Sequence, residues 1–138
     1  MGVIVKEIEA AVTWDLRHRV MWPEKSIAYV KLDEDKDGVH FGLFKDEQLV
    51  SVVSLFITGK EAQFRKFATD TNIQGNGYGT ELLKHVLLVA QQNKVETIWC
   101  NARADKASFY KRFGLVKTGH KFNKGGIDYV IMQKTLNL

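Results

Sequence analysis

The sequence predicts an α/β fold, α+β in arrangement, in which about seven strands form a mixed, mostly antiparallel sheet flanked by about four helices. Two observations predict this class. Most of the predicted strands follow one another through short turns, which is typical of antiparallel hairpins. One pair of predicted strands is instead separated by a single long helical pattern, and a strand, a helix and another strand of this length imply a parallel crossover.

The N-terminal segment predicts one strand and two helices. Val3–Glu9 alternates apolar and polar residues, as expected of a strand. Apolar residues then recur at helical spacing, so a helix is expected up to about Trp22. Pro23 restarts the chain as the first residue of a second short helix, which reaches Tyr29.

Three strands follow, each bounded by a turn. Val39–Lys45 and Gln48–Thr58 are joined by the Asp46-Glu47 turn and are expected to form an antiparallel hairpin. Glu61–Thr69 is a fourth strand, which begins after the Gly59-Lys60 turn.

A long amphipathic helix comes next, directly after three glycines at alternate positions. Its apolar side chains lie three and four residues apart and are expected to be buried. These side chains are Tyr78, Leu82, Leu83, Val86, Leu87 and Ala90. The nearly continuous apolar run Val95–Ala102 follows as a strand, and such a run suits a position buried on both faces.

A short helix and two strands complete the pattern. Asp105 is expected to cap the start of the helix and Gly114 its end. Leu115–Asn123 and Ile127–Leu136 are strands, with residues 124–126 as the turn between them.

The composition is that of one ordinary globular domain, predicted to span residues 1–138. The formal net charge of +4 would suit an anionic small ligand or an acidic partner, whereas no block of lysines and arginines predicts binding to nucleic acid. No segment is apolar enough to predict a membrane span or a signal peptide. A single cysteine, Cys100, excludes an internal disulfide. We therefore expect a cytoplasmic protein.

The three glycines before the long helix are the strongest functional signal. The first turn of a helix has unpaired backbone N–H groups and a partial positive charge, and glycines allow an anion to approach them. The alternative is a glycine-rich turn that only starts a helix. A phosphate loop of the Gly-Lys-Ser/Thr type does not match, and the dinucleotide fingerprint fails because Thr80 stands at its third glycine.

The motif Gln74-x-x-Gly77-x-Gly79 resembles the acetyl-CoA signature Q/R-x-x-G-x-G/A of the GCN5-related N-acetyltransferase (GNAT) family. The downstream stretch "IWCNARADKASFYKRFGLVKTG" is similar to the N-x-x-A-x-x-FY-x-x-x-GF region of that family, and the close similarity covers Gln63 to Gly119. The resemblance implies a sheet whose fourth and fifth strands are parallel and splayed. It also implies acetyl transfer from acetyl-CoA, as co-substrate, to a primary amine by direct attack in a ternary complex.

The resemblance assigns the cofactor contacts by position. Backbone N–H groups of the glycine loop, with Thr80 behind them, would hold the pyrophosphate, and Phe67–Thr69 would bind the pantetheine arm. The N–H of Phe67 or Ala68 would polarise the thioester carbonyl. The implied cofactor-binding residues are Phe67, Ala68, Thr69, Gln74, Gly75, Asn76, Gly77, Tyr78, Gly79, Thr80, Asn101, Arg103, Lys106 and Tyr110.

Two catalytic residues follow from the same resemblance. Tyr110 matches the tyrosine that faces the sulfur and can protonate the leaving thiolate. Gln63 stands where lysine-acetylating members carry a glutamate base, and a glutamine cannot accept the proton. Glu61, two residues earlier on the same strand face, is the candidate base, with His40 or a water molecule as alternatives.

No metal site is expected. Asp33, Asp35 and Asp37 have the spacing of a calcium loop, but Phe44 stands where that loop needs a bidentate carboxylate, so a solvated acidic turn is predicted. The four histidines show no paired ligand spacing. Cys100 is interpreted as a buried apolar residue rather than a nucleophile.

The acceptor is open between a small-molecule amine and a protein lysine or N-terminus. Arg17, Trp22 and Tyr29 are weak candidates for the acceptor side, because in the family this segment helps to form the acceptor wall. A catalytically silent acyl-CoA-binding module is the alternative function, and the glutamine at position 63 is the feature that supports it. Edge strands near the C-terminus are compatible with a homodimer.

Overall fold

The computed structural model describes residues 2–136. Within them the chain forms seven strands and three α-helices, together with shorter helical turns. In chain order these elements are β1 (Val3–Ile8), α1 (Ala10–Leu16), β2 (Val39–Lys45), β3 (Gln48–Thr58), β4 (Glu61–Thr69), α2 (Tyr78–Gln92), β5 (Thr97–Arg103), α3 (Ala107–Lys111), β6 (Val116–Lys124) and β7 (Ile127–Thr135). A π-helical turn spans Arg17–Met21, and 3-10 turns span Ile27–Val30, Asp33–Asp37, Thr71–Ile73 and Ala104–Lys106.

The strands are hydrogen-bonded in the order β1-β2-β3-β4-β5-β7-β6. The pairs β1–β2, β2–β3, β5–β7 and β6–β7 are antiparallel, whereas β4 and β5 are parallel. The ladder between β4 and β5 pairs Glu61–Gln63 with Thr97–Trp99, although both strands continue beyond it. The predicted mixed sheet of seven strands, with a parallel and splayed fourth and fifth strand, is confirmed.

The chain divides into two compact units. The first comprises the residues up to Phe56 together with Phe64–Val86, and the second comprises Ile57–Gln63 and the residues from Leu87 onward. In the first unit Leu16, Val52 and Ala68 form a buried apolar cluster. In the second unit the buried face of β5 carries Ile98, Cys100 and Ala102. The single domain predicted for residues 1–138 stays a prediction.

A buried polar cluster joins the helical turns of the first unit to its strands. The Arg17 side chain is 0% exposed, and its two terminal nitrogens donate to the Asp35 carboxylate, each at 2.9 Å. The same guanidinium donates to the Val30 carbonyl at 3.0 Å and to Ser54 Oγ at 2.9 Å. Arg17 therefore holds the segment between α1 and β2 against β3.

His40 completes this cluster, and its contacts fix its tautomer. Its Nε2 lies 2.8 Å from the Asp35 backbone carbonyl, which can only accept, so Nε2 carries the hydrogen. Its Nδ1 lies 2.6 Å from Ser54 Oγ. Because Ser54 already accepts from Arg17, its own hydrogen is available to Nδ1. Both ring nitrogens of His40 are thus occupied within the protein.

The acidic turn differs from its prediction at one position. Asp35 is 7% exposed rather than solvated, because its carboxylate pairs with Arg17. Burial acts to raise the pKa of Asp35, but hydrogen bonds from Arg17 and from the Leu32 N–H outweigh it and leave the pKa below its usual value.

Three local predictions need correction. The helix expected from Pro23 to Tyr29 is replaced by a short 3-10 turn, Ile27–Val30. Trp22, the residue before the proline, has φ −140° and ψ 58°, so the preceding helical segment ends there. Asp105 lies inside the 3-10 turn before α3 and does not cap that helix. Along β5, buried and partly open residues alternate, so only one face is fully buried.

Asp35→Asn should lower the free energy of unfolding by about 3 kcal/mol at neutral pH, because it leaves the buried Arg17 without its counter-ion. The folded-state pKa of Asp35 is depressed, so the pair contributes above the unfolded-state pKa of about 4 and is lost as the pH falls through the folded value. Urea denaturation should therefore show a gap between variant and wild type that narrows below about pH 4.

The matched control is Asp15→Asn, which removes an exposed partner of Arg19, 2.8 Å away. It should cost less than about 1 kcal/mol, since surface pairs contribute little. A gap for Asp35→Asn that stays constant on acidification would contradict the ion-pair account.

Candidate active site

The end of β4, in the first unit, is not a regular strand. Lys66 has a φ of +57°, a left-handed conformation that is uncommon for a residue with a side chain. Such a residue interrupts the extended backbone and redirects the residues that follow, as β-bulges do beside active sites. Phe67, Ala68 and Thr69, the predicted pantetheine contacts, come directly after it.

The residues after Lys66 are anchored to β3. Ser51 Oγ donates to the Ala68 carbonyl at 3.2 Å and lies 2.8 Å from Thr69 Oγ1. The Asp70 N–H donates to the Val50 carbonyl at 2.8 Å. The irregular end of β4 is therefore held in one place by neighbouring polar groups.

Side chains of the loop itself fix its path toward α2. The Asp70 carboxylate accepts from the Asn72 N–H at 3.0 Å and so caps the turn Thr71–Ile73. The Gln74 amide donates to the Thr69 carbonyl at 3.0 Å, and the Asn76 amide donates to the Ile73 carbonyl at 2.9 Å. These bonds leave the backbone of Gln74–Gly77 exposed.

The three glycines of the loop serve two different purposes. Gly75 and Gly77 have φ values of +90° and +81°, which side chains other than glycine rarely adopt, and a Cβ at either position would meet nothing within 4 Å. A Cβ at Gly79 would lie 3.2 Å from the Phe67 ring and 3.4 Å from Thr69 Oγ1. Gly79 is therefore needed for the close approach of α2 to β4.

The start of α2 presents backbone donors beside this loop. The Glu81 N–H donates to the Gly77 carbonyl at 3.0 Å, which closes the first turn of the helix. The N–H groups of Tyr78, Gly79 and Thr80 precede that bond and have no acceptor within the helix. Together with the positive end of the helix dipole, they suit an anion that reaches the exposed side of Gly77.

Tyr110 lies on α3, in the second unit. Burial acts most strongly to raise the pKa of its hydroxyl, with a smaller contribution of the same sign from Cys100 and an opposing one from Arg103. The pKa lies well above the usual value, so the phenol stays protonated at neutral pH and can act as a proton donor, not as a base. Burial likewise raises the pKa of Cys100 to about 12, which keeps that thiol unreactive.

The other predicted site residues in the second unit lie on β4, near the end of β5 and, for Lys106, in the 3-10 turn that follows β5. Glu61 is exposed at the start of β4, and Gln63 is half-buried in the ladder with β5. Asn101 and Lys106 are exposed, and Arg103 is half-buried.

Some of the weaker candidates do not fit a role toward substrate. Arg17 is fully buried in its pair with Asp35, and both ring nitrogens of His40 already make hydrogen bonds within the protein. Trp22 is 9% exposed and packs edge-on against Tyr29, which is 39% exposed. Only Tyr29 of these four presents a large part of its side chain to solvent.

Three residues near the site had no sequence signal strong enough to single them out. They are Arg65, Lys66 and Asp70. A lysine within an alternating strand gives no sign of a left-handed conformation. Asp70, which stands before a Thr-Asn pair, is a weak turn signal beside the stronger glycine motif.

Within residues 2–136, no group of three or more His, Cys, Asp or Glu side chains is arranged to hold a metal ion. None of the helices in the same range combines the length and the apolar character that crossing a membrane requires.

Comparison with known proteins identifies the family. The family model described as "Acetyltransferase (GNAT) domain" matches residues 19–136. The Bacillus subtilis protein YitI, described as an uncharacterized N-acetyltransferase, is 31% identical over 142 aligned positions, which cover 96% of this chain and 95% of YitI. The chain belongs to the GNAT acetyltransferase family. The predicted family resemblance is confirmed.

Solved structures agree on the fold. ElaA from Escherichia coli superposes with a TM-score of 0.83 at 16% identity, covering 96% of this chain and 99% of ElaA. A GNAT family acetyltransferase from Elizabethkingia anophelis, solved with acetyl-CoA bound, superposes with a TM-score of 0.78 at 15% identity, covering 97% of this chain and 98% of that one. At such identities the likeness supports the GNAT fold of the chain and no finer property.

Gly77→Val should weaken CoA binding at least about tenfold, or ~1.4 kcal/mol, while the circular dichroism stays native. The branched side chain occupies the open space beside the α2 donors and is strained at a φ of +81°. Gly119→Val is the matched control, because Gly119 has a φ of +94° and open surroundings but lies on β6, in the second unit. Calorimetric titration with CoA measures both. Equal losses in the two variants would show that backbone strain, not the loop, is responsible.

Proposed function

We propose that this GNAT family member transfers the acetyl group of acetyl-CoA to a primary amine, by direct attack of the amine in a ternary complex. The observation that carries the proposal is the pair of left-handed glycines, Gly75 and Gly77, set before the open N-terminus of α2. Acetyl-CoA is the co-substrate, and its pyrophosphate is the anion that this loop would bind. The solved GNAT structure from Elizabethkingia anophelis, which shares this fold, has acetyl-CoA bound.

The end of β4 would hold the acyl end of the co-substrate. A backbone N–H at Phe67 or Ala68 would donate to the thioester carbonyl and stabilise the oxyanion that forms when the amine attacks. The left-handed Lys66 supports this role, because it redirects the strand immediately before these two residues. Thr69 would continue the contacts along the pantetheine arm.

Tyr110 is proposed as the acid that protonates the departing thiolate. Its raised pKa keeps the hydrogen on the phenol until a strong base forms beside it. A CoA thiolate in the same dry surroundings would also be a stronger base than in water, since burial disfavours its charge. Asn101, Arg103 and Lys106 are proposed as contacts along the co-substrate, as the family pattern implies.

Glu61 is proposed as the base that accepts the proton from the amine, directly or through water. It is exposed and therefore open to solvent, whereas His40 is committed to Ser54 and Asp35. A water molecule remains the alternative base. No metal takes part in this proposal.

The acceptor is a small-molecule amine or a protein lysine or N-terminus; neither nucleic acid nor membrane is part of the proposal. A cytoplasmic location and a homodimer stay predictions. The second candidate function is a catalytically silent acyl-CoA sensor, which Gln63 favours because it cannot serve as the base in the position where lysine-acetylating relatives carry glutamate.

Release of free CoA thiol from acetyl-CoA in the presence of an amine panel tests the proposed function. Turnover should require an amine, and acetyl-CoA should raise the melting temperature far more than NAD does, because it binds the native state selectively. Stabilisation by acetyl-CoA without turnover on any amine would favour the sensor. Equal stabilisation by NAD would remove the co-substrate assignment.

Tyr110→Phe should lower kcat roughly 10–100-fold, at the low end for general acids because a thiolate is already a tolerable leaving group. The KM for acetyl-CoA should stay within a few-fold, since the interaction is made mainly in the transition state. Stability should change by about 1 kcal/mol or less, because the ring and its packing remain. Steady-state kinetics and urea denaturation give these quantities. Wild-type kcat in the variant would make Tyr110 a packing residue.

Glu61→Gln should lower kcat/KM and flatten the acidic limb of its pH profile if Glu61 accepts the amine proton. Glu47→Gln is a suitable control, because Glu47 is an exposed glutamate in the turn between β2 and β3. An unchanged pH profile in Glu61→Gln would point to water as the base.

A further inference from the structure

Arg65 occupies an unusual place on β4. It comes immediately before the left-handed Lys66 and two residues before Phe67. Two residues of extended chain span at most about 7 Å, so the Arg65 backbone lies close to the backbone proposed to hold the thioester carbonyl. The side chain is 27% exposed, which places a cation at the edge of the first unit without leaving it freely solvated.

The guanidinium of Arg65 is held in position by an aromatic ring. Its central carbon lies 5.7 Å from the centroid of the Phe56 ring. That ring in turn packs on Gly38, where a Cβ would come within 2.6 Å of it, and contacts His40 edge-on with centroids 6.2 Å apart. Phe56 is therefore a rigid support, and stacking on such a support fixes the plane of a guanidinium while leaving its N–H donors at the edge.

The Arg65 guanidinium has a single ion-pair partner among the residues that the structure describes. Among residues 2–136, the Arg65 side chain makes no hydrogen bond, and its ion pair with Glu34 has an N···O distance of 3.8 Å, beyond hydrogen-bond range. Glu34 is 59% exposed, so it can swing away at little cost. A planar guanidinium that is stacked on a ring and keeps its N–H donors available is suited to bidentate binding of an oxyanion.

The ion-pair partner of Arg65 comes from the turn before β2. Glu34 lies in the 3-10 turn Asp33–Asp37, which the buried Arg17–Asp35 pair holds in place. An amine that attacks the thioester near Phe67 would bring its other substituents within a few ångströms of Arg65. A carboxylate or phosphate on the acceptor could then accept hydrogen bonds from the Arg65 guanidinium.

We propose that Arg65 is a specificity-determining residue that binds an oxyanion, a carboxylate or a phosphate, carried by the acceptor amine. This inference rests on the proposed acetyl transfer and narrows its acceptor class to amines that also bear an acidic group. Glu34 competes for the same guanidinium and keeps it neutralised in the absence of acceptor. Removing Glu34 and removing Arg65 should therefore have opposite effects on acceptor choice.

Matched acceptor pairs test this inference. α-Amino acids and β-alanine are each compared with the amine that lacks their carboxylate, and phosphoethanolamine is compared with ethanolamine. In the wild type, kcat/KM should favour the acidic member of the better series about tenfold or more, as expected for a charge-assisted bidentate contact. The carboxylate and phosphate series separate the two oxyanion types.

Three variants separate a role in acceptor choice from a purely structural role, because a structural role would not change the ratio of kcat/KM between acidic and non-acidic acceptors. Arg65→Gln should bring the ratio of acidic to non-acidic acceptor toward one, and Arg65→Lys should keep only a small part of the preference, because a lysine lacks the fork. Glu34→Gln should raise the ratio by lowering the KM of the acidic member. The Kd for acetyl-CoA, measured by titration, should stay within about twofold in all three, since the loop is untouched.

The outcomes separate this inference from the function on which it rests. Turnover of amines with a wild-type ratio near one would overturn the role of Arg65 and leave acetyl transfer standing. A ratio that Arg65→Gln does not change, or that Glu34→Gln and Arg65→Gln shift in the same direction, would also overturn it. Binding of acetyl-CoA without turnover of any acceptor in either series would count against the transferase itself, and the inference would fall with it.

Discussion

The buried pair of Arg17 and Asp35 is the interaction on which the first unit depends. Here the terminal nitrogens of a guanidinium removed from water meet a carboxylate, a backbone carbonyl and a serine hydroxyl from three elements of the chain, while its Nε is buried without a hydrogen-bond partner among the described residues. The segment between α1 and β2 is built of short turns, and this cluster fixes it. Ser54, which accepts from Arg17, also hydrogen-bonds His40, so both ring nitrogens of that histidine have partners within the protein.

The glycine loop shows how one motif can combine two physical requirements. Gly75 and Gly77 are needed for their left-handed backbone, whereas Gly79 is needed because Phe67 and Thr69 lie where its Cβ would be. A substitution at Gly79 would therefore disturb the packing of α2 on β4, and one at Gly77 would disturb the exposed side of the loop beside the first N–H groups of α2. Three glycines are expensive in conformational entropy. The cost is understandable where backbone donors must be both exposed and rigid.

Local patterns predicted most of the fold, and non-local contacts account for what they missed. The bounds of β2, β3 and β4 follow from alternation and from turns of two residues, both of which are local. The burial of Asp35 could not be predicted, because its partner Arg17 is distant in sequence and the aspartate stands in an acidic, apparently solvated run. The Gln74–Gly79 loop could be predicted, because its backbone conformation and its close packing both require glycine, and glycine is visible in the sequence. The left-handed conformation of Lys66 could not be predicted, because a lysine does not by itself favour that conformation.

That lysine brings the separate observations on β4 together. A left-handed residue other than glycine costs about 1–2 kcal/mol, and such a conformation persists only where the surroundings determine it. Here Arg65 is held on Phe56, the Phe67 ring lies against Gly79, and the Ala68 carbonyl accepts from Ser51. The residues on both sides of Lys66 are thus fixed independently, so the backbone between them has little freedom to relax. The strained residue therefore lies between the two groups to which the proposals give a role, the Arg65 guanidinium for the acceptor and the N–H of Phe67 or Ala68 for the oxyanion.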